Sequence, residues 1–475
     1  MMLLSKKLRW MAGILVYIQL FGPVATAEKT SGIPDGRFEQ EHNPQSATAA
    51  ETLRINLEQA IQIALSDNPT IIIADQEIKR IDYTKKETWY ALIPTLNASA
   101  QISKYMLPAK MSMFGMIFDT PTDFMSSTTL SMSLPLVVPA LWRSIQMTEL
   151  QMQMANEQAH ASKINLRNEV VKAYYQILLA QDSYETLQDG YGLAKQNYEE
   201  AKQRFELGLA AEYDCIFAEV QMQNLLPTIL QVENGITLSK SFLKVLMGVD
   251  LAISLIVEGK LIDFENRVNM SALTNPLSVS LDRNSDLMQL DIQQKQLQKQ
   301  MQLQRTQRLP TLVGFGQYGY SGVGTKDATI NLGGLPMQVE ARKDWFSTGL
   351  IFGMQLNVPI FNGYTNKMKE KKIEVSAKTL SIQRDYVKDN LTLQVSAAID
   401  NMAKAVEQME AGKKGVQLAE KGYAISQERY NNDMGTMLEL RSASQSLTQA
   451  KLAYNQAIVD YLAAKADYEK IIGQY

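Results

Sequence analysis

The chain of 475 residues offers few side chains for catalysis or metal binding, because it has one cysteine, Cys215, and two histidines, His42 and His160. One cysteine cannot form an intramolecular disulfide or a cysteine-rich zinc site. No nucleophile–base pair or cluster of metal ligands stands out, so we expect no enzymatic activity and no cofactor. The net charge of −3 gives no basic surface for nucleic acid, which we exclude as a partner.

Methionine is the residue type that could supply soft metal ligands locally. One segment contains Met106, Met111, Met113, Met116 and Met125, and thioethers bind Cu(I) or Ag(I). The alternative is an apolar loop in which methionines pack adaptively. Since the whole chain has 24 methionines, the local enrichment is modest. We therefore assign no metal site, and metal binding by this loop stays an open alternative.

The N-terminus has the organisation of a secretory signal peptide, predicted to span residues 1–27. Lys6, Lys7 and Arg9 precede an apolar run, and Ala25-Thr26-Ala27 provides a cleavage site. No cysteine lies near that site, so we expect no N-terminal lipid. The polar residues 28–54 are predicted to form a flexible tether.

The rest of the chain resembles itself. LIPTL at 92–96 corresponds to RLPTL at 308–312, LSMSLPLV at 130–137 to MQLNVPIF at 354–361, and RFELGLAAEYD at 204–214 to RYNNDMGTMLE at 429–439. The separation between matching segments is nearly constant, and its small drift fits loops of unequal length. These matches predict two structural repeats, at 55–265 and 275–475.

Long helices are predicted in both repeats. No proline lies between Pro139 and Pro227, or after Pro359, and about 65 helical residues would extend roughly 100 Å. Apolar residues recur at alternating spacings of three and four, which predicts a left-handed coiled coil. The positions on this seam are Leu440, Ala443, Leu447, Ala450, Tyr454, Ala457, Tyr461, Ala464, Tyr468 and Ile471. The corresponding pattern of the first repeat includes Cys215 as a small core residue and is interrupted by Pro227, where we expect a kink or break.

Four segments alternate between apolar and polar residues, as transmembrane β-strands do. They lie near 96–105, 127–138, 312–321 and 345–360, and an ordinary half-buried hairpin remains the alternative for each alone. Aromatic residues flank the segments where a membrane interface would lie. They are Trp89, Tyr90 and Trp142 at one end and Tyr105, Tyr318 and Trp345 at the other.

Four strands cannot close a barrel, and lipid does not tolerate an open sheet edge. Three copies would supply twelve strands, an even number within the observed range. The predicted fold is therefore mainly α with a membrane β-barrel. Long coiled-coil helices form an α-helical tube, continuous with a barrel to which each protomer gives four strands.

This layout resembles the TolC-like outer-membrane efflux protein family over about 55–475. The resemblance rests on INLEQAIQIALSDNP, which begins at Ile55, the two PTL entries into strands, the two proline-ending strands, the paired 204–208 and 429–435 segments, and the closing LMG and IIG. It implies a homotrimeric channel in the outer membrane lipid, reaching into the periplasm. It also implies a periplasmic adaptor and an inner-membrane pump as partners, and no catalytic residues.

The resemblance also implies a gate at the periplasmic tips of the helices. Asp214 and Tyr430 match an Asp–Tyr hydrogen-bonded pair of the family, and Glu439 matches its first acidic pore position. The second acidic position is Ser442 here, and a position often basic is Gly435. Arg204, Gly208, Arg429 and Gly435 are the expected hinge and adaptor-contact residues. The alternative for Asp214 and Glu439 is a solvated helix N-terminus.

The expected function is a passive exit duct of a tripartite efflux pump or a type I secretion system. A structural or adhesive coiled-coil surface protein would explain the helices but not the strands. A stand-alone porin would explain the strands but not the helices. The sequence does not identify the exported substrate, the adaptor or the class of pump, because the wall of a duct need not recognise what passes through it.

Overall fold

The computed structural model describes residues 52–107, 110–113, 116–265, 279–332 and 335–474. The predicted signal peptide at 1–27 and the tether as far as residue 51 lie outside this part. The tether prediction is wrong at its end, because Thr52–Ile55 form a strand. This strand pairs in parallel with Ser254–Val257, so the chain is already ordered there by backbone hydrogen bonds.

One series of elements occurs twice in the described chain: a helix, a strand, a short hairpin, a strand, a very long helix and a helix of 36 residues. The elements up to residue 265 are β1 (Thr52–Ile55), α1 (Leu57–Asp67), α2 (Pro69–Tyr90), β2 (Thr95–Lys104), β3 (Lys110–Met113), β4 (Met116–Asp119), β5 (Thr122–Val137), α3 (Pro139–Glu206), α4 (Glu212–Met247), β6 (Ser254–Val257) and α5 (Ile262–Glu265). Those from residue 285 are α6 (Ser285–Thr306), β7 (Thr311–Thr325), β8 (Ala328–Leu332), β9 (Leu335–Val339), β10 (Lys343–Asn357), α7 (Thr365–Asn431) and α8 (Met437–Ile472).

The two longest helices are α3 with 68 residues and α7 with 67. At 1.5 Å per residue each extends about 100 Å. Each turns back into a helix of 36 residues, α4 or α8. Pro227 lies inside α4, which continues through it, so the expected break is absent from this helix. None of the helices in the described ranges is long and apolar enough to cross a membrane.

The coiled-coil seam holds α8 against its neighbours. All ten seam positions from Leu440 to Ile471 are buried or half-buried, and so are the ten equivalent positions of α4, including Cys215. Leu440 and Leu243 are fully buried. A 3.5-residue repeat keeps one stripe on the inner side of the pair, and burying this stripe stabilises the helices.

In each repeat a buried asparagine links the start of one helix to the end of another. The Asn68 side chain caps α2 and donates a hydrogen bond to the Leu246 carbonyl at 2.7 Å, while Asn284 caps α6 and donates to the Ile471 carbonyl at 2.8 Å. Both asparagines are buried. Each thereby satisfies one of the carbonyls that a helix leaves unpaired in its last turn.

Four strands form one antiparallel sheet in the order β10–β7–β5–β2. The registers place Asn357 opposite Thr311 and Leu312 opposite Val137, so the strands meet their long helices at one end of the sheet. Gly322 of β7 gives space to the Trp345 ring, which a Cβ would approach to 2.5 Å. Gly316 of the same strand gives space to the Phe352 ring of β10, which a Cβ would approach to 2.8 Å.

Large apolar side chains of this sheet are exposed in the single chain. Leu96 and Ile102 of β2, and Leu350, Phe352 and Met354 of β10, are each more than 60% exposed. A water-soluble sheet would cover such a face with a core. Within the described residues these side chains have no such cover.

Candidate functional site

The two helix tips have the same backbone structure, one in each repeat. At the first tip the Leu209 amide donates to the Arg204 carbonyl at 2.8 Å, and at the second the Met434 amide donates to the Arg429 carbonyl at 2.8 Å. The preceding amides form a second, equivalent pair of bonds. Gly208 donates to the Phe205 carbonyl, and Asp433 donates to the Tyr430 carbonyl. Such paired bonds end a helix by satisfying its last carbonyls.

Asp433 is the residue that the sequence analysis missed. The positive φ needed to leave the helix is taken by Gly208 at the first tip (φ 74°) and by Asp433 at the second (φ 58°). Gly435, expected to provide this freedom, is not among the residues with positive φ in the described part. The sequence did contain an indication of this role, because the alignment of the two repeats places Asp433 at the position of Gly208. Aspartate also tolerates the left-handed region better than most residues.

Gly435 instead provides space. A Cβ at this position would lie 3.1 Å from Arg429 Cβ, 3.3 Å from the Tyr430 backbone nitrogen and 3.3 Å from Glu439 Oε2. These contacts are tighter than most in folded proteins, so the neighbouring atoms would have to shift by a few tenths of an ångström. A side chain here would therefore push the start of α8 away from the end of α7.

Arg204 connects the two tips. Its guanidinium donates to the carbonyls of Tyr430 and Asn431, both at 3.0 Å, and lies 2.9 Å from an Asp433 carboxylate oxygen. It also lies over the Tyr430 ring, 4.9 Å from the centroid. One cation from the end of α3 thus binds carbonyls in the last turn of α7, where the helix dipole favours positive charge.

Tyr430 lies in this contact with the arginine rather than in a hydrogen bond with Asp214. Within the described residues no hydrogen bond joins Tyr430 and Asp214, so the expected pair is not formed inside one protomer. Burial raises the pKa of Tyr430, the nearby carboxylates of Asp214 and Glu200 add to the shift, and Arg204 opposes it. The two residues are therefore close enough to interact electrostatically.

The second tip carries its own ion pair. Arg429 lies 3.5 Å from Glu439 and donates to the Met434 carbonyl at 3.0 Å. The Glu439 amide donates to Thr436 Oγ1, which caps α8. Glu439 is about half exposed, as expected for a carboxylate that faces water near a helix N-terminus. Ser442, one turn later, is exposed and leaves Glu439 without a second carboxylate at this position.

The predicted interface aromatics lie on or beside the four-stranded sheet. Trp89 and Trp142 meet edge to face, with ring centroids 6.1 Å apart, and Tyr90 is exposed beside them on α2. At the other end, Tyr105 follows β2, and Trp345 stacks on Tyr320 at 5.9 Å. Tyr318 was expected at a strand end but lies mid-strand, because β7 continues to Thr325.

The predicted methionine loop contains a short hairpin, with Met113 opposite Met116. The side chains of Met111, Met113 and Met116 lie outside the described residues. In the part of the chain that is described, no three His, Cys, Asp or Glu side chains are grouped to bind a metal.

Comparison with known proteins identifies the family. The family model for outer membrane efflux proteins matches residues 60–249 and 277–474. The outer membrane protein TolC of Vibrio cholerae is 23% identical over 332 residues, covering 70% of this chain and 73% of that protein.

Two solved structures show the same fold. The Campylobacter jejuni CmeC outer membrane channel has a TM-score of 0.67 and 16% identity, with 88% of this chain and 85% of CmeC covered. The open state of the Neisseria gonorrhoeae MtrE outer membrane channel has a TM-score of 0.66 and 17% identity, with 88% and 89% covered. Since the family model matches most of the chain in two consecutive segments, the chain belongs to the outer membrane efflux protein family.

Proposed function

We propose that the protein is the passive exit duct of a tripartite efflux pump, a homotrimer that crosses the outer membrane as a closed twelve-stranded barrel and the periplasm as a helical tube. The observation that carries this proposal is that two strands of a sheet with exposed apolar side chains lead into helices of 68 and 67 residues. The strands are suited to lipid, and helices about 100 Å long are suited to crossing an aqueous compartment.

Unpaired surfaces of the protomer support the trimer. In the described sheet β2 and β10 each pair on one side only, and lipid does not tolerate free backbone groups at such edges. Helix α7 also carries an exposed apolar stripe, whose successive members are seven, four and seven residues apart. Its members, each 63–68% exposed, are Val375, Ile382, Tyr386 and Leu393. A second copy that pairs with the edges would also cover this stripe.

We propose that the helix tips form the gate, with Arg204 as the residue that holds them closed. Its contacts join α3 to the end of α7 and would be broken if the tips moved apart. Asp214 and Glu439 would supply carboxylates near the opening, which attract cations and repel anions. In a trimer each of these contacts would be present three times.

We also propose that opening depends on other proteins, a periplasmic adaptor and an inner-membrane pump. A passive duct can be opened only by a partner that binds the open state more tightly than the closed one. The exposed tip surface, including Arg429 and Leu438, is where such a partner would have the most direct effect.

The test is the mass and conductance of the protein extracted from outer membranes. Light scattering corrected for detergent should give three times the mass of one mature chain. In planar bilayers the trimer should conduct weakly and open when the tips are loosened. A stable monomer would exclude the closed barrel, and full constitutive conductance would favour a stand-alone porin over a gated duct.

A further inference from the structure

A cleft of about 400 Å³ lies where β10 joins α7. It is lined by apolar and cationic groups together, with Ile360, Phe361 and Tyr364 beside Arg308 and Lys367. Ile360 is 94% exposed and Phe361 is 76% exposed. Side chains of this size are seldom left so accessible unless another molecule covers them.

The first two turns of α7 beside this cleft are strongly basic. Lys367, Lys369, Lys371 and Lys372 are all exposed. Among the described residues none of these four forms an ion pair. Glu370, the one acidic residue between them, lies 2.7 Å from Arg308 and 3.9 Å from Arg305. The lysines therefore keep their charge available to a partner.

This basic surface occurs in one repeat only. The equivalent start of α3, from Pro139 onward, carries Arg143 and no lysine before Lys163. The lysines are not required to form a long helix, because α3 lacks them at its start and is nearly equal to α7 in length. The basic character is therefore specific to the point where β10 joins α7.

We propose that this junction surface, formed by the cleft and the four lysines, binds anionic phospholipid of the periplasmic leaflet. The inference rests on the proposed function, in which the sheet lies in the outer membrane. The strands meet the long helices at one end of the sheet, so the junction lies at the periplasmic face. There Ile360 and Phe361 contact acyl chains, and Arg308 and Lys367 contact the phosphate, as amphipathic side chains do at membrane interfaces.

The chemistry favours an anionic lipid over a zwitterionic one. Clustered lysines attract an anionic surface, and salt screens this attraction over about 10 Å at 0.1 M. Zwitterionic lipid would satisfy the apolar side chains equally well, but its phosphate is neutralised by its own ammonium group and offers the lysines no net negative charge. The surface should therefore select phosphatidylglycerol over phosphatidylcholine, most strongly at low salt.

The experiment measures lipid retention by native mass spectrometry of the full-length trimer, titrated with phosphatidylglycerol or phosphatidylcholine. The variant replaces the four lysines by glutamine (K367Q, K369Q, K371Q, K372Q). The matched control makes the same charge change farther along α7 at exposed lysines that form no ion pair with described residues (K388Q, K404Q, K414Q, K421Q). We expect wild type and control to prefer phosphatidylglycerol, and the junction variant to lose on the order of tenfold in its affinity.

A second variant tests the apolar half of the surface. Phe361→Ser should weaken retention of both lipids while leaving the preference for phosphatidylglycerol in place. Equal retention of phosphatidylglycerol by wild type and the lysine variant would overturn the proposal, as would binding of lipopolysaccharide in its place. Failure of the proposed function would appear differently, as protein that neither forms trimers nor enters lipid bilayers.

Discussion

Replacing Arg204 by glutamine should loosen the closed tip. The change removes two hydrogen bonds from a cation to carbonyls at 3.0 Å and the contact with the Tyr430 ring at 4.9 Å. It also removes the pair with Asp433, which contributes little because that carboxylate is 78% exposed.

The size of the effect follows from these contacts. A hydrogen bond from a charged donor contributes about 1.5 kcal/mol at the lower end of its range, and a partly exposed cation–π contact about 0.5 kcal/mol. Together the lost contacts amount to roughly 3.5 kcal/mol per protomer, or on the order of a few hundredfold in the ratio of closed to open tips.

The assay is single-channel conductance of the purified trimer in planar bilayers. Arg204→Gln should raise the open probability by at least tenfold, and Arg204→Lys should lie between the variant and wild type, since lysine cannot make the same forked contacts. Lys202→Gln, an exposed charge half a turn away, is the control and should behave as wild type.

A folded trimeric Arg204→Gln protein with unchanged conductance would refute the reasoning. It would show that opening leaves the link between α3 and α7 intact, and that the pore is closed elsewhere. Thermal unfolding measured in parallel separates this outcome from general loss of structure. A variant that loses stability without opening would show that Arg204 has a structural role only.

Further expectations concern pH, the asparagine that links two helices in the second repeat, and the trimer. Burial and the neighbouring Glu265 carboxylate raise the pKa of Tyr454 to about 12 from an ordinary value of about 10. The folded state thus favours the neutral phenol, so this stabilisation is complete below about pH 10 and is lost as the pH rises to about 12. Urea unfolding should show this loss in wild type and a smaller one in Tyr454→Phe. Asn284→Ala removes a helix cap and leaves the Ile471 carbonyl unpaired, which should lower the free energy of unfolding by roughly 2 kcal/mol, measured by urea titration. Leu393→Ser should weaken the trimer in light scattering without changing the helical circular dichroism of the protomer, because this side chain is exposed in a single chain; an unchanged trimer would contradict the proposed interface.

The helices, the seam and the alternating strands could be predicted from the sequence alone. These features depend on local patterns, since a proline-free span with 3.5-residue periodicity can bury its stripe only as a long coiled helix. The family resemblance, drawn from the order and duplication of short motifs, is confirmed by the family comparison. The correspondence between the two repeats located both tips, because duplicated segments keep their backbone hydrogen bonds.

Which residues meet at the tips depends on the tertiary structure. The family resemblance implied a pair of Tyr430 with Asp214, whereas the fold brings Arg204 over Tyr430 and against Asp433. Residues 204 and 433 are too far apart in the chain for a local pattern to relate them. Their contact depends on how α3 and α7 are set side by side by the packing of the whole length of both helices. A shift of one residue along either helix, about 1.5 Å, would be enough to separate them.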